Sequence, residues 1–227
     1  HPDHFNPKFL LEKKIKELKS VDYIQDVEKI TLRYIFSVVR GFLRSFRFNK
    51  KDYLFGSSGD LSSPCVYIRN LFFKHLYSYK SKNFKYNKLK DINNFAFMPL
   101  LLQPEENIDL ISTKFNNQIE TARQVAMSLP ADMTLVVKDH PHMSNKRPTS
   151  YLDKLKYLPN VKLIDCRIPS WKIFEKAKIV IATSGTTVFE ASILNKYTIQ
   201  LGKLGTIRML PNVFYQSVLS IVCVFPL

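Results

Sequence analysis

Residues 179–190 read IVIATSGTTVFE. Four apolar residues of strand length lead into a polar turn with one glycine. A helix with apolar spacing follows over residues 186–194. Strand, glycine turn and helix together form the βα unit of a parallel sheet, whose next strand is reached only through such a crossover. The alternation repeats on both sides of this stretch. Residues 95–102 form an apolar run of strand length, 113–129 have helical spacing, and 133–138 (MTLVVK) form a buried strand. A helix over 149–157, a strand over 161–164 and a short helix over 170–176 come next, and 197–201 supply a fifth strand. The pattern predicts an α/β fold, a Rossmann-like parallel sheet with helices on both faces.

Ligands of such sheets bind beyond the carboxyl ends of the strands. Gln103-Pro104-Glu105-Glu106 follows the first strand, and Asp139-His140-Pro141-His142 follows the second. Thr183-Ser184-Gly185-Thr186-Thr187 follows the fourth and opens a helix carrying Glu190. Three polar clusters at three strand ends of one sheet converge on one cleft.

Each cluster has a chemistry and a blander alternative. Gly185 lets backbone N–H groups come close to a phosphate. The helix start behind it adds partial positive charge, and the hydroxyls of Thr183, Ser184, Thr186 and Thr187 add donors. Glycine is scarce, six in the chain, with Gly185, Gly202 and Gly205 in this one region. The alternative is plain helix capping, since Thr187 with Glu190 fits a capping box. His140 precedes a proline and projects from the strand end, where it can donate to a phosphate or act as acid or base. Otherwise it is a loop histidine bonded to local backbone, with His142 peripheral to it. Lys138 points to a phosphate or to solvent. Glu105, on a loop stiffened by Pro104, binds sugar hydroxyls or takes a proton, or is a surface carboxylate. Glu106 and Asp109 are flanking acids without an assigned role.

The first 94 residues differ. Residues 9–18 and 21–46 have helical spacing, and Arg33, Arg40, Arg44 and Arg47 recur at near-helical intervals as a basic stripe. The stripe is either a solvated helix face or a contact for an anionic membrane or glycan. Residues 56–60 signal a loop, Pro64 opens a helix over 66–79, and 78–94 are Lys-, Asn- and Tyr-rich, a linker that puts the domain boundary near Asn94. Residues 1–94 are therefore expected to be a mainly helical, basic region, and residues 95–227 a Rossmann-like domain cut short at its C-terminus.

The 227 residues suffice to bury a core, and 45% apolar against 23% charged residues excludes wholesale disorder. There is no apolar run of membrane-spanning length; residues 213–227 come nearest and read as a core strand or helix. Net charge is +15, with 34 basic and 19 acidic residues, which suits anionic partners or reflects Lys-rich drift. Cys65, Cys166 and Cys223 lack metal-site or redox spacing, so the reading is a reducing, cytoplasmic compartment without a disulfide framework. No signal peptide is visible, and the first methionine is Met98, which reads as a fragment or trimmed chain.

The stretches FMPLLLQPEE, SLPADMTLVVKDHP, YLPNVKLID and ATSGTTVFEA with Leu201-Gly202 resemble bacterial capsular polysaccharide biosynthesis proteins. These are GT-B glycosyltransferases that include the Kdo transferases of capsule lipid linkers. The resemblance covers roughly residues 95–205. It implies that 95–227 is a nucleotide-sugar-binding domain and 1–94 a remnant of an acceptor domain or a linker, with a nucleotide-sugar donor, CMP- or UDP-linked, no metal and no further cofactor. Gln103 and Glu105 match the Q-P-E motif at the active cleft, making Glu105 and His140 the catalytic candidates. His140 and Pro141 match an H-P motif whose histidine contacts the donor phosphate. Ser184, Gly185 and Thr186 match the phosphate loop, and Glu190 the acid that binds the ribose; Lys138, Thr183 and Thr187 complete the substrate-binding set. Asp139 stands where the family often has Glu, and Tyr197-Thr198 replaces a more usual Lys-Pro ending. The implied acceptor is a glycan or lipid-linked; the basic first half and its arginine stripe add an expected peripheral attachment to the inner face of the cytoplasmic membrane. Two other readings are a sugar-nucleotide epimerase or hydrolase of the same fold, and a non-catalytic glycan-binding or assembly subunit. No helix-turn-helix, zinc or RNA-binding signature points to nucleic acid.

Overall fold

The structure, a computed structural model, describes residues 15–17, 32–46, 64–144, 146–202 and 212–215. The readings for 9–14, 18, 21–31, Arg47, the 56–60 loop, Gly205 and 216–227 lie outside the described residues. The chain divides into two compact units, one around residues 25–84 with 144–149, and one holding 85–143 and everything from Ser150 onward.

In the first unit two helices, α1 (Leu32–Ser45) and α2 (Pro64–Lys82), pack side by side. Pro64 is the first helical residue of α2, as expected of a residue with no N–H to satisfy there. The contact has a sequence cause at Gly41: a Cβ there would run into the hydroxyl end of the Tyr67 ring, which would have to shift. Tyr67 donates its hydroxyl proton to the Val38 carbonyl at 3.2 Å. One helical stretch further along, Tyr34 Oη lies 2.6 Å from His75 Nε2, so the two helices run antiparallel.

The second unit is built on six strands: β1 (Phe95–Pro99), β2 (Thr134–Lys138), β3 (Val161–Ile164), β4 (Ile179–Ala182), β5 (Thr198–Gln200) and β6 (Val213–Tyr215). All neighbours are parallel, in the order β3-β2-β1-β4-β5-β6. Every residue of β1 and β4 is buried, which explains why these strands read as continuous apolar runs rather than as alternation. The register aligns Pro99 at the end of β1 with Lys138 at the end of β2 and Ile164 at the end of β3. Three strands thus finish level, and their following loops share one edge. β6 occupies the start of the stretch read as a strand or helix.

Four helices follow in chain order: α3 (Gln118–Met127), α4 (Thr149–Lys156), α5 (Ser170–Lys176) and α6 (Thr187–Ile193). Phe97 meets Phe174 edge-on at 5.7 Å, and Val136, Ile164, Ile173, Val180 and Ala191 complete that core cluster. Each fully buried Val, Ile or Phe side chain among them contributes about 2 kcal/mol by area.

Two expectations change. The helix read over 113–129 is broken: a 3-10 turn, Thr113–Phe115, precedes α3. Asn117 forces the break, because its side chain caps α3 by accepting the Glu120 N–H at 3.2 Å. The segment read as a linker over 78–94 is structured. Helix α2 runs on to Lys82, and Asn87 then joins β3, donating its N–H to Leu163 O at 2.8 Å and accepting the Leu163 N–H at 3.1 Å. Leu89 and Ile92 pack on the core. Among the described residues no helix is long and apolar enough to cross a membrane.

Candidate functional site

Strand order reverses direction between β1 and β4, so the crevice over their carboxyl ends is where such a sheet holds ligands. A cavity of about 390 Å³ lies there. β1 contributes Leu100, Leu101 and Glu105; β2 contributes Lys138, Asp139 and His140; the β3 end gives Cys166, Arg167 and Ser170; the β4 end gives Gly185, Thr186, Thr187 and Glu190.

Lys138 ends β2 with its side chain buried, only 4% exposed. Its Nζ donates to Ile168 O at 3.0 Å and to Ser170 Oγ at 2.7 Å, tying β2 to the start of α5. Burial pushes the ammonium down to about 8, against the pull of Cys166, Glu190 and Asp165. Glu190 is shifted the opposite way, as carboxylates are when desolvated: burial raises it, while a hydrogen bond from Thr186 and the charge of Lys138 hold it back. The Cys166 thiol is pushed up to about 12 by burial and by the charges of Asp165 and Asp139, so it is neutral and unreactive.

Asp139 accepts the His140 N–H at 2.8 Å and fixes the turn after β2. The His140 ring stacks on His142, with centroids 5.1 Å apart, and its Nδ1 accepts the His142 N–H at 3.2 Å. A ring that accepts at Nδ1 carries its neutral-form proton on Nε2, which leaves that atom as a donor. His140 is thus both a locally bonded loop histidine and a wall of the cavity, and His142 is its support. Arg167, at the cavity edge, is held by Asp165 through its N–H and Nε, each 2.9 Å from Oδ1.

Gly185 has φ +95°, the left-handed region that favours glycine, while a Cβ there would meet only Leu101 Cδ2 at 3.6 Å. Backbone conformation rather than crowding demands glycine. The capping-box reading does not hold: Thr186, not Thr187, is the N-cap and makes no side-chain cap hydrogen bond, and Glu190, the fourth helical residue, instead bonds to Thr186.

Three residues singled out from sequence do not line the cavity. Thr183 is buried, its carbonyl accepting the Gly202 N–H at 2.8 Å. Ser184 is fully buried behind the turn with no partner for its hydroxyl. Gln103 braces its loop instead. Its Nε2 donates to Asn116 O at 3.0 Å and its Oε1 accepts from Gln118 Nε2 at 2.6 Å, while Gln118 bonds both backbone groups of Leu101. The Gln103–Pro104 peptide is cis. Sequence reading passed over the third strand end. The strand-end rule, applied after Ile164, finds Cys166 and Arg167, with Ser170 at the start of the next helix.

The walls combine cations and N–H donors with carboxylates. Lys138, Arg167, the His140 ring and the Gly185 turn suit phosphate, and Glu105 and Glu190 suit hydroxyls. Among the described residues no three His, Cys, Asp or Glu side chains gather to hold a metal ion.

An all-parallel sheet in this order, with one cavity across its strand ends, defines a Rossmann-like α/β domain. No family model matches the chain, and no curated protein does. Solved structures similar to it include a Methanocaldococcus jannaschii UDP-GlcNAc 2-epimerase in complex with UDP-GlcNAc and UDP, at TM-score 0.42 and 18% identity over 66% of this chain and 41% of that one. The Thermosulfurimonas dismutans KpsC beta Kdo 2,7 transferase is another, at TM-score 0.40 and 15% identity over 79% of this chain and 51% of that one. The KpsC beta Kdo 2,4 transferase of the same organism gives TM-score 0.41 and 16% identity over 71% and 52%. The chain spans about two fifths to half of the length of these structures.

Proposed function

We propose that this cavity binds a nucleotide-activated sugar and that the protein is a glycosyltransferase of capsular or other surface polysaccharide biosynthesis. The observation that carries the reading is the convergence, at one switch point, of Glu105, Lys138, His140, Gly185, Thr186, Thr187 and Glu190. A ligand with both phosphates and many hydroxyls matches such walls better than a plain anion, which the carboxylates would repel. In this reading Lys138, His140 Nε2–H and the backbone at Gly185 hold the diphosphate or monophosphate, and Glu190 accepts from ribose hydroxyls. Glu105 takes the proton of the acceptor hydroxyl. The acceptor oxygen then bonds to the anomeric carbon, the bond from that carbon to the nucleotide phosphate breaks, and the charge left on phosphate is stabilised by the cationic wall. The acceptor is a glycan or lipid-linked, and the protein works at the inner face of the cytoplasmic membrane.

Calorimetric titration of the full chain with CMP, UDP and GDP tests the reading. Saturable binding of one of them is expected, and binding of none refutes it. Incubating the matching nucleotide sugar without acceptor separates the epimerase alternative, in which the sugar configuration would change.

A further inference from the structure

We propose that the α1–α2 hairpin is the membrane-docking surface, lying in the headgroup region of an anionic bilayer with an apolar stripe of α1 inserted. This deepens the membrane-attachment part of the reading above and rests on that part alone, not on the transferase chemistry. Leu32, Ile35, Phe36, Val39 and Leu43 of α1, and Phe46 just after it, are all exposed, Leu32, Phe36 and Leu43 by 86%, 71% and 61%. With about 100° of rotation per residue, the six fall in one arc of about 100°. Arg33, Arg40 and Arg44 occupy the adjoining arc, and the opposite side of the helix, with Tyr34, Val38 and Gly41, faces α2. Because the helices are antiparallel, the same rotation brings the exposed Ile68, Phe72 and Tyr79 of α2 to the same side of the hairpin.

Charge selects the occupant. Helix α1 carries three arginines, and α2 carries Arg69, Lys74, Lys80 and Lys82; neither contains an acidic residue. A second copy of the chain would set seven cations against seven. Nucleic acid would leave the aliphatic stripe in water. An anionic lipid surface satisfies both parts, apolar groups below and phosphates beside them, and neither helix is long and apolar enough to cross.

The test is cosedimentation of the full chain with vesicles of phosphatidylcholine alone and of phosphatidylcholine with phosphatidylglycerol, at low and high salt. Wild-type protein should sediment with the anionic vesicles at low salt only. Arg40→Gln with Arg44→Gln should weaken this by about 25-fold, about 1 kcal/mol per charge. Phe36→Ser with Leu43→Ser should weaken it by about tenfold or more, with thermal melting unchanged since both side chains are exposed. Equal binding to both vesicle types, binding to neither, or double variants that sediment like wild type would each overturn the proposal. A dimer seen by light scattering and dissolved by the Phe36/Leu43 pair would overturn it in favour of a second copy. Nucleotide titration of the same samples separates the two readings, because vesicle binding without nucleotide binding sinks the transferase and leaves this surface standing.

Discussion

Lys138 should make nucleotide affinity and protein stability move in opposite directions with pH. Its ammonium is buried and titrates near 8 instead of the ordinary 10.5. In the unfolded chain it titrates normally, so the folded state is penalised while the group is charged. The penalty is about 3 kcal/mol below pH 8 and disappears as pH rises from about 8 to about 10.5, since the unfolded state then binds more protons than the native one. A bound phosphate reverses the preference by stabilising the ammonium. Between pH 7 and 9.5 the free site loses its charge, and affinity should fall by about thirtyfold, with proton uptake on binding above pH 8. Calorimetry with the nucleotide that binds, repeated in buffers of different ionisation enthalpy, reads affinity and proton uptake together; urea unfolding reads stability. Lys138→Met should flatten both curves. An affinity flat from pH 7 to 9.5, or a fall that persists in Lys138→Met, would refute a phosphate contact at this group.

Gly185→Val should remove nucleotide binding and cost roughly 1–2 kcal/mol from the left-handed backbone, with the melting cooperative as before; unchanged affinity would sink the phosphate-turn role. His140→Ala should raise the nucleotide dissociation constant by roughly tenfold or more, and His142→Ala by less, because His142 only orients the ring. Glu190→Gln should weaken nucleotides but not inorganic phosphate, and an equal loss for both would remove the ribose assignment. Mapping with a thiol reagent should label the exposed Cys65 in the native protein and Cys166, buried and held near 12, only after unfolding.

The centre of the sheet was legible in the sequence because its strands β1, β2 and β4 are buried on both faces. Residues 95–99, 134–138 and 179–182 have almost nothing polar to interrupt them, and the turn after Ala182 declares itself by its glycine. The β3 end was passed over because Asp165-Cys166-Arg167 matches no phosphate-loop pattern; only the register that levels Ile164 with Lys138 brings it to the cavity. The anchoring of 85–92 was hidden for a different reason. Asn87 is held through backbone and amide bonds to Leu163, 76 residues away, and composition carries no trace of such pairing. Gln103 shows the limit most clearly. Its neighbour in the motif, Glu105, lines the cavity, while Gln103 is turned to Asn116 and Gln118, so adjacent motif residues divide the work of binding and of holding the loop.

All described walls of the cavity come from residues 99–190, from the end of β1 to the first turn of α6, and none from β5 or β6. The groups suited to phosphate are held by contacts inside that same stretch: Lys138 by Ile168 and Ser170, His140 by His142, Arg167 by Asp165, and the Gly185 turn by its own backbone. A site preorganised this way should bind a nucleotide without a partner, because its reorganisation cost has already been met in folding. Transfer differs, since it also requires an acceptor hydroxyl delivered within reach of Glu105. Nucleotide binding is therefore the property expected of the chain by itself. Turnover depends in addition on whatever presents the acceptor, so a chain that binds nucleotide without turning over would leave the donor-site assignment intact.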